Sequence, residues 1–277
     1  MFDLVKEQFL AALRSQHKAD ATIVAYGKDV DQLISFLRAA GKKQISDVAK
    51  DDLELFIADL KRQQFTAKTI SRKINSIKTL YRFLKEQRLV SVNYAGDLTH
   101  PKYELKTPRI LNKMEYRALR DVARSDPRTY AIVELFLQTG MRISEVAQLQ
   151  LSDIQDDSMQ IGKRTIPLNP SAKDALVAYL EIRPKNGEND HVFITKTNRP
   201  LLIRNIRTAI DRALKTAGID NAKVNDLRTT FIAYQLAAGA PLEYISGLVG
   251  HKRVSTTERY LGLVKEKPKR GAKLVEL

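Results

Sequence analysis

A chain of 277 residues with 43% hydrophobic side chains can fill two ordinary cores, which excludes a chain disordered throughout. Its 47 Lys+Arg against 32 Asp+Glu give a net charge of +15, pointing to nucleic acid as the partner, although a solvated lysine surface has the same signature. The absence of cysteine excludes disulfides, thiolate metal sites and a cysteine nucleophile, and the histidines His17, His100, His191 and His251 lack metal-ligand spacing. No long uncharged apolar run and no N-terminal signal pattern is present, so a cytoplasmic, DNA-associated location is expected.

Residues 1–95 read as four helices. Phe9, Leu10 and Leu13 mark a short first one, and Ile23, Tyr26, Val30, Leu33 and Leu37 recur every three or four positions before Gly41. Leu53, Phe56, Ile57 and Leu60 define a third, with Asp51 and Asp52 favouring its N-terminus. The fourth runs over about 67–87, with Ile70, Ile74, Ile77, Leu80, Tyr81 and Leu84 inward. Its opposite face carries Lys68, Arg72, Asn75, Thr79 and Arg82, which suit phosphate oxygens and base edges but also suit a face that is merely wet.

Between residues 96 and 108 the periodicity stops, and Gly96, Pro101 and Pro108 favour an extended linker. A second domain is expected over 109–277. It opens with Asn112 as a helix cap and Glu115 in the capping-box position, and an apolar helix over 131–138 ends near Gly140. Arg142 emerges just beyond it, with Glu145 three residues on as a companion or as half of a structural pair. Ser158 to Ile161 and Arg164 to Pro167 read as a hairpin closed by Gly162-Lys163, which puts Lys163 on an exposed tip. Helices are then expected over 172–181 and about 203–217, separated by an apolar strand, His191 to Thr195. Arg204 and Arg207 lie among the core positions of the later helix and are candidate phosphate contacts.

Asn225 and Arg228, three apart, fall on one side of a helix running to about Ala238. A short helix from Pro241 through Leu248 precedes Gly250-His251, and Tyr260 falls in the last turn of a helix expected over 255–261. The basic tail from Lys265 ends in Leu274, Val275 and Leu277, an apolar patch able to dock on its own domain, on a neighbour, or to fray. The fold class is mainly α with a small β-sheet.

The ordered set Thr139-Gly140-Met141-Arg142-Ile143-Ser144-Glu145, Asn225-Asp226-Leu227-Arg228, Leu248-Val249-Gly250-His251 and Thr256-Thr257-Glu258-Arg259-Tyr260 resembles the tyrosine site-specific recombinases, the phage-integrase family. The chromosome-dimer-resolving, Xer-like members are nearest in size. The resemblance implies a helical core-binding domain clamping DNA and a mixed α/β catalytic domain. It assigns Arg142 and Arg228 as the catalytic arginines, Glu145 as the acidic companion, His251 as the late histidine, Tyr260 as the nucleophile and the Gly162 hairpin, hence Lys163, as the place of the catalytic lysine. Asn225 stands where the family most often has histidine and can donate a hydrogen bond but not exchange a proton.

The chemistry so implied is attack on a phosphodiester to give a 3′-phosphotyrosine, with no cofactor, no metal and no ATP, because the covalent link conserves the bond energy. The implied partners are double-stranded DNA with specific core sites and further copies of the chain, from dimer to tetramer, joined through C-terminal tails. A catalytically silent DNA-binding accessory protein and a DNA-relaxing topoisomerase are the alternatives.

Overall fold

The computed structural model describes residues 2–104, 107–185, 189–263 and 274–277. The chain divides into two compact units, residues 1–106 and 107–277, and each has its own apolar cluster. No helix among the described residues is long and apolar enough to cross a membrane.

The first unit is built from α1 (Phe2–Ser15), α2 (Asp20–Ala39), α3 (Lys50–Arg62) and α4 (Ala67–Glu86). Local chemistry sets their starts: the Ala49 amide donates to Asp52 Oδ2 at 2.8 Å ahead of α3, and Thr66 Oγ1 accepts from the Thr69 amide at the head of α4. Leu33, Leu37, Leu53, Leu60, Ile74, Ile77 and Leu84 are wholly enclosed, so the expected inward stripes do meet. A pair of opposite charges, Asp29 and Lys73, is buried inside: the Asp29 carboxylate accepts from Lys73 Nζ at 2.9 Å, from Ser76 Oγ at 2.7 Å and from Arg72. Those partners make its burial tolerable, since an unpaired carboxylate there would cost several kcal/mol.

The chain beyond α4 stays on this unit. Ala95 and Leu98 are buried in its core, Lys78 Nζ donates to Gly96 O at 3.0 Å, and Ser71 Oγ lies 3.0 Å from His100 Nδ1. Residues 96–100, read from sequence as the start of a linker, are therefore packed. A single inward leucine leaves no periodic signal.

The second unit comprises α5 (Lys113–Ala123), α6 (Pro127–Thr139), α7 (Ile143–Gln148), the hairpin β1 (Ser158–Ile161) and β2 (Arg164–Pro167), α8 (Pro170–Ile182), α9 (Ile203–Thr216), α10 (Val224–Ala237), α11 (Leu242–Val249) and α12 (Ser255–Glu258). Asn112 and Glu115 cap α5 reciprocally, side chain to amide in both directions. The central helix is α6, against which α5, α8, α9 and α10 pack. It is buried almost all round, from Ala131 to Thr139. Glu134, fully buried within it, accepts a bidentate pair of bonds from Arg120 and one from Gln138.

The hairpin pairs in antiparallel register from Ser158↔Pro167 to Ile161↔Arg164, with Gly162 at φ +59 in its two-residue turn. The strand expected at His191 to Thr195 does not form. Val192, Phe193 and Ile194 are buried, but the segment's main chain bonds in turn to Leu149, Leu201 and Arg199, leaving only isolated bridges instead of a continuous ladder. Helix α12 is also shorter than expected, so Tyr260 sits in the turn that follows it, its amide bonded to Thr257 O.

The C-terminal residues 274–277 dock on their own domain. The Gln235 side-chain amide bonds both the N–H and the C=O of Val275, at 2.8 and 2.6 Å, and Gln138 does the same for Leu277. Leu277 is buried, and Glu276 Oε1 accepts from the Ser171 amide. Of the basic tail singled out in the sequence, residues 265–273 lie outside the described residues.

Candidate active site

Two turns and a helix build the site. At the end of α6, Gly140 adopts φ +62, a left-handed conformation that admits glycine readily, and a Cβ there would fall 2.4 Å from the Phe231 ring. The chain thus reverses tightly over α10 and delivers Arg142 as the residue before α7. Glu145, three residues on, accepts from the Arg142 amide and from Arg142 Nη1, both at 2.7 Å. A second left-handed glycine, Gly250 at φ +69, ends α11 and presents His251.

Arg228 comes from α10 and is 6% exposed. Its guanidinium donates to Gly140 O and, at 2.8 Å, to Val249 O. Arg142 in turn donates to Gly250 O. Each arginine is latched by main-chain carbonyls of turns from other segments, with each fork keeping three of its five N–H groups beyond these contacts and the Glu145 pair (five less two in both cases).

His251 Nδ1 lies 2.7 Å from Thr257 Oγ1, and its ring stacks on Tyr260 with centroids 6.2 Å apart and planes 15° apart. Burial first, then the positive charges of Arg228, Arg142 and Arg259, push the His251 pKa down to about 4, so the imidazole is neutral at pH 7. Burial likewise leads the lowering of Arg228 to about 10, with the Arg142 charge adding to it and Glu145 and Tyr260 opposing it. Arg142 and Arg228 thus act on His251 through their charge, and Tyr260 acts on Arg228 in the same way.

A cleft of about 800 Å³ opens on this assembly, and Arg142, Ser144, Arg207, Asn225 and Arg228 are among the side chains lining it. Cationic forks, an exposed amide and a neutral imidazole beside a phenol can hold a phosphodiester and present an oxygen nucleophile to it. Asn225 is exposed at the cleft, whereas Arg228, on the same helix, is enclosed.

The other candidate residues are not gathered here. Lys163 is exposed at the hairpin tip, and no hydrogen bond or ion pair among the described residues holds its side chain. Arg204 lines a separate cavity of about 560 Å³ with Arg128, Lys196 and Arg212, although it is only three residues from Arg207. Lys68, Arg72, Asn75, Thr79 and Arg82 belong to the first unit. Lys68, Asn75 and Arg82 are exposed there, Thr79 Oγ1 is turned back to Asn75 O, and Arg72 is tied to Asp29. Two side chains of the site escaped the sequence reading. Arg164 shares Glu145 with Arg142, and Thr257 holds the His251 ring; neither pairing follows a helical or strand spacing that a sequence displays.

Comparison with known proteins adds the family. The model of the Phage integrase family matches residues 107–267, and that of the Phage integrase N-terminal SAM-like domain matches residues 7–88. Tyrosine recombinase XerC of Listeria welshimeri is 29% identical over 282 residues, covering 95% of this chain and 94% of the relative. The XerC protein of Staphylococcus epidermidis is 30% identical over 273 residues, covering 93% and 92%. Among solved structures, XerA recombinase matches at 25% identity and a TM-score of 0.54, covering 94% of this chain and 93% of that one. The fold is also that of a lambda integrase dimer bound to a COC′ core site, with a TM-score of 0.72 at 17% identity over 92% of this chain and 96% of that one. With the catalytic-domain model spanning more than half its length, the chain belongs to the phage integrase family and is a tyrosine recombinase, an enzyme that cuts and rejoins DNA through a phosphotyrosine.

Proposed function

We propose that the chain recombines double-stranded DNA at specific core sites, with Tyr260 as the nucleophile and Arg142 and Arg228 as the phosphate clamp. The observation that carries this reading is the convergence of both guanidinium groups on one cleft beside the His251–Tyr260 stack. Tyr260 Oη attacks the scissile phosphorus, the phosphorus–O5′ bond breaks, and the products are a 3′-phosphotyrosine and a 5′-hydroxyl. A phenol with an ordinary pKa of about 10 must lose its proton during attack. His251, held neutral first by burial and then by the neighbouring arginine charges, is able to take up that proton, and a bound phosphate offsets the arginine part of that effect. The arginine forks meet nonbridging oxygens, Asn225 adds an amide donor, and Lys163 supplies the proton that the departing O5′ requires. Glu145 orients Arg142.

The helical unit over residues 1–95, joined through 96–108 to the catalytic unit over 109–277, acts as a DNA clamp through Lys68, Arg72, Asn75, Thr79 and Arg82. Arg207 in the cleft and Arg204 at the separate cavity contact flanking phosphates. The enzyme assembles on DNA as a dimer to tetramer. Because Gln138 and Gln235 bind the tail through its main chain, the same seat accepts the tail of a neighbouring copy. The reaction uses no metal or cofactor and takes place in the cytoplasm.

A nicked suicide substrate tests the assignment: wild type forms an SDS-resistant protein–DNA complex and Tyr260→Phe forms none. Tight binding of a cognate site with no covalent complex from wild type would replace this reading with that of a DNA-binding accessory protein.

A further inference from the structure

Arg164 begins β2, immediately after Lys163, and its side chain turns inward while the lysine stays on the exposed tip. One Nη donates to Glu145 Oε1, the same oxygen that Arg142 Nη1 uses, and the other donates to Leu248 O at 2.7 Å. The guanidinium also lies against Gly250, where an added Cβ would fall 2.8 Å from Arg164 Cζ and 3.0 Å from Arg142 Nη1. A single side chain therefore joins the root of the hairpin to the Glu145–Arg142 pair and to the turn that presents His251, while β2 itself packs on α11.

We propose that Arg164 is a positioning residue that pins the hairpin to the floor of the site, so that delivery of a proton from Lys163 to O5′ depends on it. This rests on the reading of Lys163 as the proton donor. The physical need is plain. Lys163 has a flexible four-carbon stem on a two-residue turn, and no bond among the described residues fixes its ammonium. The orientation of the tip is then set by the strands behind it, and Arg164 is the tip's nearest charged anchor into the domain. A carboxylate shared by two guanidinium groups makes that anchor stiff, since each pair of charges restrains the same oxygen. Displacement of a catalytic group by about 1 Å can cost on the order of 10²-fold in rate.

The test uses full-length protein and two suicide substrates, one with oxygen and one with sulfur at the bridging 5′ position, because a thiolate leaves without a proton. Arg164→Leu is expected to cleave the oxygen substrate about 10²-fold more slowly than wild type. On the sulfur substrate it should return to within a few-fold of wild type, as should Lys163→Ala. Arg164→Lys, which keeps the charge but cannot reach Glu145 and Leu248 O together, should show the same pattern to a smaller degree and guards against a folding defect in the leucine variant. If Lys163→Ala recovers on sulfur while both Arg164 variants stay slow, Arg164 acts on Arg142 or on folding, and the inference is overturned. If Lys163→Ala does not recover either, the lysine reading falls and the inference falls with it.

Discussion

Arg228 is an ionised group in a nearly enclosed place, and two main-chain carbonyls supply the partners that water would otherwise provide. Arg228→Ala is expected to lower covalent-complex formation by about 10²-fold or more, since a preorganised donor to the transferring phosphate is lost. It also strands the carbonyls of Gly140 and Val249, for a stability loss of about 1–3 kcal/mol in denaturant titration. Arg228→Lys should recover little of either, because one ammonium cannot replace a fork that grips two turns and a ligand. His251 adds a pH signature. Its folded pKa, about 4, lies below the ordinary histidine value of about 6.5, so between these limits the unfolded chain binds the extra proton. The contribution is complete above pH 6.5 and is lost as pH falls toward 4. Melting temperatures of wild type and His251→Gln across pH 4 to 7 should diverge in slope, wild type falling more steeply; parallel curves would refute the assignment.

Among the turns, Gly140 and Gly162 share nearly the same left-handed φ, yet their surroundings differ. Nothing lies within 4 Å of a Cβ at Gly162, so Gly162→Ala should cost only the conformational term, about 1–2 kcal/mol. At Gly140 the same methyl would overlap Phe231 at 2.4 Å, and Gly140→Ala should be markedly less stable by denaturant titration and lose DNA cleavage as well. The sequence made both turns legible, because glycine at the end of an apolar run is a strong local signal. It likewise marked the helices of both units, whose stripes repeat over several turns. It misread His191–Thr195, where burial resembles a strand but the main-chain partners change at almost every residue. It passed over Arg164 because the residue's importance comes from Glu145 and Leu248, which are remote in the chain. Arg142, Arg228, His251 and Tyr260 were visible only as an ordered set of motifs; no single spacing discloses that the two arginines line one cleft or that His251 stacks on Tyr260.

For the whole molecule, the net charge of +15 implies DNA affinity that falls steeply with salt. Replacing Lys68 or Arg82 by alanine should weaken binding similarly on all sequences and reduce the slope of log affinity against log salt by about 0.9 each if each neutralises one phosphate. Unchanged slopes would remove these residues from the DNA face. Two separate apolar clusters also predict two overlapping transitions by calorimetry, rather than one cooperative melt. Within the second unit, the reciprocal hold of each arginine by a turn from another segment has a sharper result. The end of α11 supplies a carbonyl to each guanidinium, Val249 O to Arg228 and Gly250 O to Arg142, so a shift there is expected to disturb both. On the proposed roles of the two arginines, Gly250, with no side chain to offer DNA, matters to strand cutting as they do, and Gly250→Ala should leave a protein that still binds its target but forms no covalent complex with it.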